Sequence, residues 1–145
     1  MPVPLAPAPT AQKGFNLIEV LIVLFIIGII AAVAVPAYAR LVTKTKIGVA
    51  YGMTADPRRR ITESWNIKGL LPQTSAEAGF TPPDLTAMAY LDRLEISDGR
   101  IEVQFRGSGI DGGLLILTPL IQNYVLDWSC LSPNIPASVL PKECA

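Results

Sequence analysis

Between Val20 and Ala39 the chain reads VLIVLFIIGIIAAVAVPAYA, 20 consecutive residues without a charge, in which only Gly28 and Pro36 are not hydrophobic. As an α-helix rising about 1.5 Å per residue, this stretch is about 30 Å long, the thickness of a bilayer's hydrocarbon core. It also holds most of the excess in a chain whose hydrophobic share is 50%. The remainder has an ordinary composition for a soluble domain, so the sequence divides into a leader, a membrane-length segment and a globular part.

Charge and composition exclude several classes of function. With 12 Lys+Arg, 12 Asp+Glu and no His, the chain has no net charge, so it lacks the basic surplus of a nucleic-acid binder. The missing His removes Ser-His-Asp and Cys-His catalysis and His metal ligation, and two cysteines alone cannot build the common zinc sites. No catalytic residue, metal site or cofactor is expected. Asp84, Asp92, Glu95 and Asp98 read as loop and exposed strand positions, and a membrane-tethered enzyme is disfavoured.

Residues 1–40 admit three readings. A secretory signal peptide would use Lys13 as its basic region and Ala37-Tyr38-Ala39 as its cleavage site, leaving a secreted binding module. The apolar segment is longer than the usual ~7–15 residues of such a peptide and begins beside a carboxylate, Glu19. A plain single-pass anchor is the second reading. Arg40, Lys44 and Lys46 outnumber Lys13, which favours a cytoplasmic C-terminal part for such an anchor. The third takes Lys13-Gly14-Phe15-Asn16-Leu17-Ile18-Glu19 and the run after it as one unit.

That unit, KGFNLIEVLIV…GIIAAVAVPAY, resembles the class III signal of type IV prepilins from Lys13 to Tyr38. The resemblance implies cleavage between Gly14 and Phe15 by a prepilin peptidase, methylation of the new Phe15 amine, and retention of the apolar segment. Two departures stand out: Asn16 where Thr is common, and a Pro-rich 14-residue leader, MPVPLAPAPTAQKG, with a single Lys. The physics of Glu19 agrees independently. A carboxylate near the bilayer core is costly and such residues have a partner and a function. The resemblance implies that the Phe15 amine of a neighbouring subunit supplies that partner, so that the Glu19–Phe15 pair sets axial register. Glu19 is also favourable in a first helical turn simply through the helix dipole.

Gly28 and Pro36 weaken the helix, Gly by about 1 kcal/mol relative to Ala and Pro by removing a hydrogen bond. Both are expected kink positions, with Pro57 as a third. From Arg40 an amphipathic helix is expected to continue, interrupted at Gly48, Gly52 and Asp56-Pro57. Asp56 as N-cap and Pro57 in the first turn would restart it through Trp65. The Arg58-Arg59-Arg60 run beside Asp56 and Glu63 reads as a solvated or subunit-contact face.

After Lys68-Gly69 an irregular, Pro-rich connection leads to strand signals. Tyr90–Ile96 and Arg100–Phe105 flank Ser97-Asp98-Gly99, a hairpin signal, with Ile101, Val103 and Phe105 on one face. A Gly-rich turn over 107–113 precedes a strand at Leu114–Thr118, and Pro119–Asn123 is read as the turn into a last strand, Tyr124–Trp128. The expected fold is α+β: a long N-terminal helix, its hydrophobic half protruding, packed on a four-stranded antiparallel sheet. Cys130 and Cys144 in an exported domain point to a disulfide, with three prolines between them arguing against regular structure. This ending resembles the disulfide-bounded C-terminal region of type IVa pilins.

The organisation implied is a leader (1–14, removed), a transmembrane and filament-core helix (15–39) and a globular head (40–145). The implied function is a pilus subunit held first in the inner membrane and then in an extracellular fimbrium used for adhesion, twitching motility or DNA uptake. Its partners would be identical or related pilins, the prepilin peptidase, the inner-membrane assembly machinery, and host surface or DNA through the polymer. A minor pilin and a type II secretion pseudopilin are alternatives of the same superfamily.

Overall fold

A computed structural model describes residues 14–107 and 109–144; the expected leader, Lys13 included, lies outside the described residues apart from Gly14. The chain divides into two compact units, residues 1–37 and 38–145. Helix α1 (Leu17–Met53) supplies all the regular structure described in the first unit, and every residue from Gly14 to Leu41 is exposed. Its most apolar 18-residue stretch has a mean hydropathy of 3.1, long and apolar enough to cross a membrane. A helix apolar on all sides has no face to turn to water, so it belongs among lipid or other helices.

The helix does not stop where glycines were expected to interrupt it. It runs on through Gly48 and Gly52 to Met53, because Ile47 and Ala50 are fully buried in the core and packing there outweighs the low propensity of their glycine neighbours. Gly28 and Pro36 also lie inside α1 without ending it.

The break comes at Thr54, before α2 (Ala55–Lys68). Pro57 has no N–H for the Met53 carbonyl and its ring crowds that carbonyl, so the ladder shifts at this point. Thr54 donates its N–H to the Tyr51 carbonyl at 3.1 Å and its Oγ1 hydroxyl to the same oxygen at 2.7 Å. Thr54, not Asp56, holds the position before α2, and no side chain caps that end. A first turn tolerates a missing N–H, which lets α2 begin two residues before Pro57 and places Asp56 inside it. At the other end Gly69, in the left-handed region at φ 65°, closes α2 by donating its N–H to the Trp65 carbonyl at 2.8 Å.

Four antiparallel strands follow in the order β1-β2-β3-β4: β1 Leu91–Ser97, β2 Arg100–Phe105, β3 Leu114–Gln122 and β4 Val125–Leu131. Asp98 and Gly99, at φ 50° and 73°, form the expected two-residue turn between β1 and β2. A register shift between Leu91 and Arg93 places one extra residue in β1, which explains why Leu91 and Leu94, three apart, are both buried on one face.

The last turn lies further along the chain than the expected Pro119–Asn123. β3 continues through Pro119 to Gln122, and the turn is Asn123-Tyr124, both with positive φ (49° and 65°). Pro119 is tolerated because β2 pairs with β3 only as far as Leu117, so the N–H that Pro119 lacks is required by no neighbour on that side. The core joins Ile47, Ala50 and Ile61 from the helices to Leu91, Leu94, Ile101, Val103, Phe105, Leu115 and Leu117 from the sheet.

Candidate functional site

The residues singled out in the sequence fall into two groups, one at the start of α1 and one at the C-terminus. Gly14, Phe15 and Asn16 precede the helix as irregular, exposed chain, with Phe15 81% accessible. The Asn16 carbonyl accepts the N–H of Glu19 at 3.0 Å and of Val20 at 3.3 Å, so the first helical turn closes on Asn16, a residue type favoured at that position. A Cβ added to Gly14 would meet nothing within 4 Å, so no packing reason demands glycine there. Glu19 sits in the first turn of α1, where the helix dipole favours a carboxylate. Among the described residues no cation pairs with it, and it is the sole charge between Gly14 and Ala39.

The C-terminal group is fastened rather than loose. Cys130 in β4 and Cys144 are joined by a disulfide with a Cα–Cα distance of 4.5 Å. Contrary to the expectation of irregular chain throughout, the segment contains two short 3-10 turns, Ala137–Val139 and Lys142–Cys144. Prolines at 136 and 141 each stand just before one of them, where a missing N–H costs nothing. Asn134 clamps the loop to the edge of β3: its Oδ1 accepts the Leu114 N–H at 2.9 Å and its Nδ2 donates to the Gly112 carbonyl at 2.8 Å. Ser132 adds a donor to the Leu114 carbonyl at 2.6 Å. Ile135, Val139 and Leu140 bury their side chains beneath.

The arginine run resolves into local pairs. Arg60 Nε and Arg59 each donate to Asp56 at 2.9 Å, and these bonds, that from Arg60 foremost, hold the Asp56 carboxyl below its ordinary value. Arg60 also donates to the Gly79 carbonyl, tying α2 to the connection that follows it. Asp84 is lowered as well, by the Thr86 N–H donated to it at 2.9 Å. Among the described residues no cluster of three or more His, Cys, Asp or Glu is placed to hold a metal ion.

The globular unit also carries an apolar surface that no local sequence pattern marks in full. Ile67 and Leu70 at the end of α2, and Leu120, Ile121, Tyr124 and Val125 around the β3–β4 turn, are exposed. The signal was there in part, since an apolar Leu-Ile pair before Asn123 fits no surface turn, but Asn-Tyr lacks the Gly that marks a two-residue hairpin.

Two family matches span the segments in which these groups lie. Residues 43–145 match the family described as Pilin (bacterial filament), and residues 9–35 match the prokaryotic N-terminal methylation motif. The chain is 31% identical over 141 residues to fimbrial protein EcpC of Eikenella corrodens, covering 92% of this chain and 90% of that one. It is 32% identical over 129 residues to type IV major pilin protein PilE1 of Neisseria gonorrhoeae, covering 86% and 78%. It is also 28% identical over 146 residues to a fimbrial protein of Pseudomonas aeruginosa, covering 90% and 92%. The chain therefore belongs to the pilin family and is a type IV pilin, a structural subunit of a bacterial pilus.

Proposed function

We propose that the subunit is made as a prepilin, cut between Gly14 and Phe15, methylated on Phe15 and held in the inner membrane by residues 15–39 until it enters the filament. The observation that carries this reading is Glu19, one carboxylate in an otherwise uncharged, apolar helical segment. The exposed, irregular Gly14-Phe15 bond before a helix suits a peptidase, which needs extended chain. Glycine at 14, which packing does not require, is accounted for by the same step.

Cutting that bond creates an amine four residues before Glu19, about 6 Å away along a helix axis. Within one subunit that amine lies at the positive helix end, so its favourable acceptor is a carboxylate from another chain. A Glu19–Phe15 pair between neighbours, made away from water, aligns each incoming helix with the last. Gly28 and Pro36 give the segment local points of weak helix, which lets it adjust when it leaves lipid for a bundle of like helices. The prepilin peptidase and an inner-membrane assembly machinery are the partners this route requires. The finished fimbrium would serve adhesion, twitching motility or DNA uptake.

N-terminal sequencing and intact mass of subunits from sheared filaments test processing: the expected start is methylated Phe15. A start between Tyr38 and Leu41 would refute it in favour of an ordinary signal peptide. For register, Glu19→Ala should leave the processed mass unchanged while filaments disappear from electron micrographs. Normal piliation by that variant would remove Glu19 from the assembly step.

A further inference from the structure

Five residues of β3, 118 to 122, run past the last β2 pair at Ile101↔Leu117 and bond only to β4. Thr118 is still level with Arg100, the first residue of β2, so at about 3.3 Å per residue the two-stranded arm formed by residues 119–122 and β4 overhangs the end of β2 by about 13 Å. Two strands alone are marginal in water, and this arm presents Leu120, Ile121, Tyr124 and Val125 to solvent. Tyr124 is the extreme case. It is 93% exposed and sits in the left-handed region, where a β-carbon is disfavoured and glycine would be free of strain. A large aromatic ring kept at a strained turn and left almost wholly to solvent points to a use outside its own chain.

The same unit carries an apolar groove of about 490 Å³ lined by Leu70, Leu71 and Pro72, with Lys68 and Glu77 beside them. Its place follows from the topology. Leu71 lies 3.6 Å from where a Cβ on Gly99 would be, and Thr74 bridges to Ser97, so the groove stands at the β1–β2 turn on the β1 edge. The arm overruns Ile101 and therefore points to that same end of the sheet, but from the β3–β4 edge. Arm and groove thus lie at one level, across a sheet whose strands stand about 4.8 Å apart. Charge offers one specific pairing: the one charge on the arm is Asp127, and of the two charges lining the groove Glu77 already accepts the Gln73 N–H at 2.7 Å, while Lys68 has no acidic partner among the described residues. Two different surfaces that fit each other form a heterologous contact, which repeats into an open helix rather than closing as a dimer.

We propose that the β3–β4 arm of one subunit docks, Tyr124 foremost, into the Leu70-Leu71-Pro72 groove of a second copy of this chain beside it in the filament. The proposal rests on the filament reading and gives the heads a lateral contact of their own, separate from the apolar helices. Tyr is well suited to such a role because it adds a large, rigid, amphipathic surface.

The test is disulfide trapping in assembled pili of the full chain carrying Tyr124→Cys together with Leu70→Cys, two exposed positions at which folding should not suffer. Mild oxidation should turn sheared filaments into a ladder of dimers, trimers and higher multimers on non-reducing gels, collapsing to monomer on reduction. Filaments that stay monomeric would overturn the contact, and microscopy showing those filaments would leave the subunit reading standing. Dimers formed by Tyr124→Cys alone would also overturn it, since they report arm against arm. Should the double variant fail to assemble, p-benzoylphenylalanine placed at Tyr124 in a minority of subunits gives the second reading. Photocrosslinks mapping to residues 64–73 of a neighbour support the docking, and crosslinks mapping elsewhere refute it.

Discussion

Gly113 makes the sharpest stability test of the head. It is buried where the Gly-rich turn enters β3, and a Cβ there would lie 2.8 Å from the Ile110 carbonyl oxygen and 3.0 and 3.1 Å from Cγ1 and Cδ1 of Ile135. None of these neighbours can withdraw easily. Ile110's carbonyl accepts the Gly113 N–H at 2.9 Å, Gly113's own carbonyl accepts the Phe105 N–H at 2.8 Å, and Ile135 is a buried residue of the disulfide-bounded loop. Overpacking of this kind costs roughly 1–3 kcal/mol, and Gly→Ala returns about 0.4–1 kcal/mol by restricting the unfolded chain. Gly113→Ala should therefore destabilise by about 1–2 kcal/mol, lowering the melting temperature by about 5–10 °C. Gly48→Ala is the matched control: its Cβ meets nothing within 4 Å and it lies inside α1, so stability should rise by up to about 1 kcal/mol. Thermal unfolding of the detergent-solubilised full chain, followed by circular dichroism, reads both. A Gly113→Ala protein that melts at or above wild type would show that Ile110 and Ile135 yield, and that the turn does not lock the C-terminal loop.

Other expectations are as direct. Tyr124→Gly should raise the stability of the head by about 0.5–1 kcal/mol in denaturant titration, since removing about 1–2 kcal/mol of left-handed strain exceeds the ~0.5–1 kcal/mol entropic cost of glycine. If the arm docks as proposed, that more stable subunit should yield fewer sheared filaments. Replacing both Cys130 and Cys144 by Ala reopens a loop with a sequence separation of 14, which should cost about 3 kcal/mol and expose residues 131–143 to proteolysis. Asp56 is held below its ordinary value of 3.8 by Arg60 and Arg59, so its contribution is present above that pH and fades as pH falls through the lowered folded value. Asp56→Asn should accordingly melt earlier than wild type at neutral pH and match it in strong acid; a gap that persists in acid would mean the loss is not electrostatic.

Some elements were legible because one local rule decided them. Asp98-Gly99 between alternating runs gave the first hairpin, and Lys68-Gly69 the end of α2, each from a glycine at positive φ. Others depended on distant chain. Gly48 and Gly52 look like helix interruptions until Ile47 and Ala50 are seen to be fully buried, and that burial is supplied by strands some 50 residues later. Pro119 looks like a turn until it is known that β2 ends its pairing at Leu117, a fact of registry that no local pattern contains. Asn134 and Ser132 hold the C-terminal loop through bonds to residues around Leu114, again a consequence of register.

The apolar segment was the most legible part of the chain and says least about its own packing. A helix that must suit lipid first and other copies later is apolar on every side, so periodicity assigns it no preferred face. Lipid and a bundle of like helices reward apolar surface alike, hence apolar packing by itself does not choose between one axial offset and the next. A choice of register needs a group whose energy changes steeply with position, and in this stretch only Glu19 has that property. The heads need a directional contact for the same reason, and a strained, exposed tyrosine on an overhanging arm is the feature of the sheet that can provide one. Filament geometry in this pilin would then be set by a few discordant residues, a carboxylate among hydrocarbon and an aromatic ring at a turn that favours glycine.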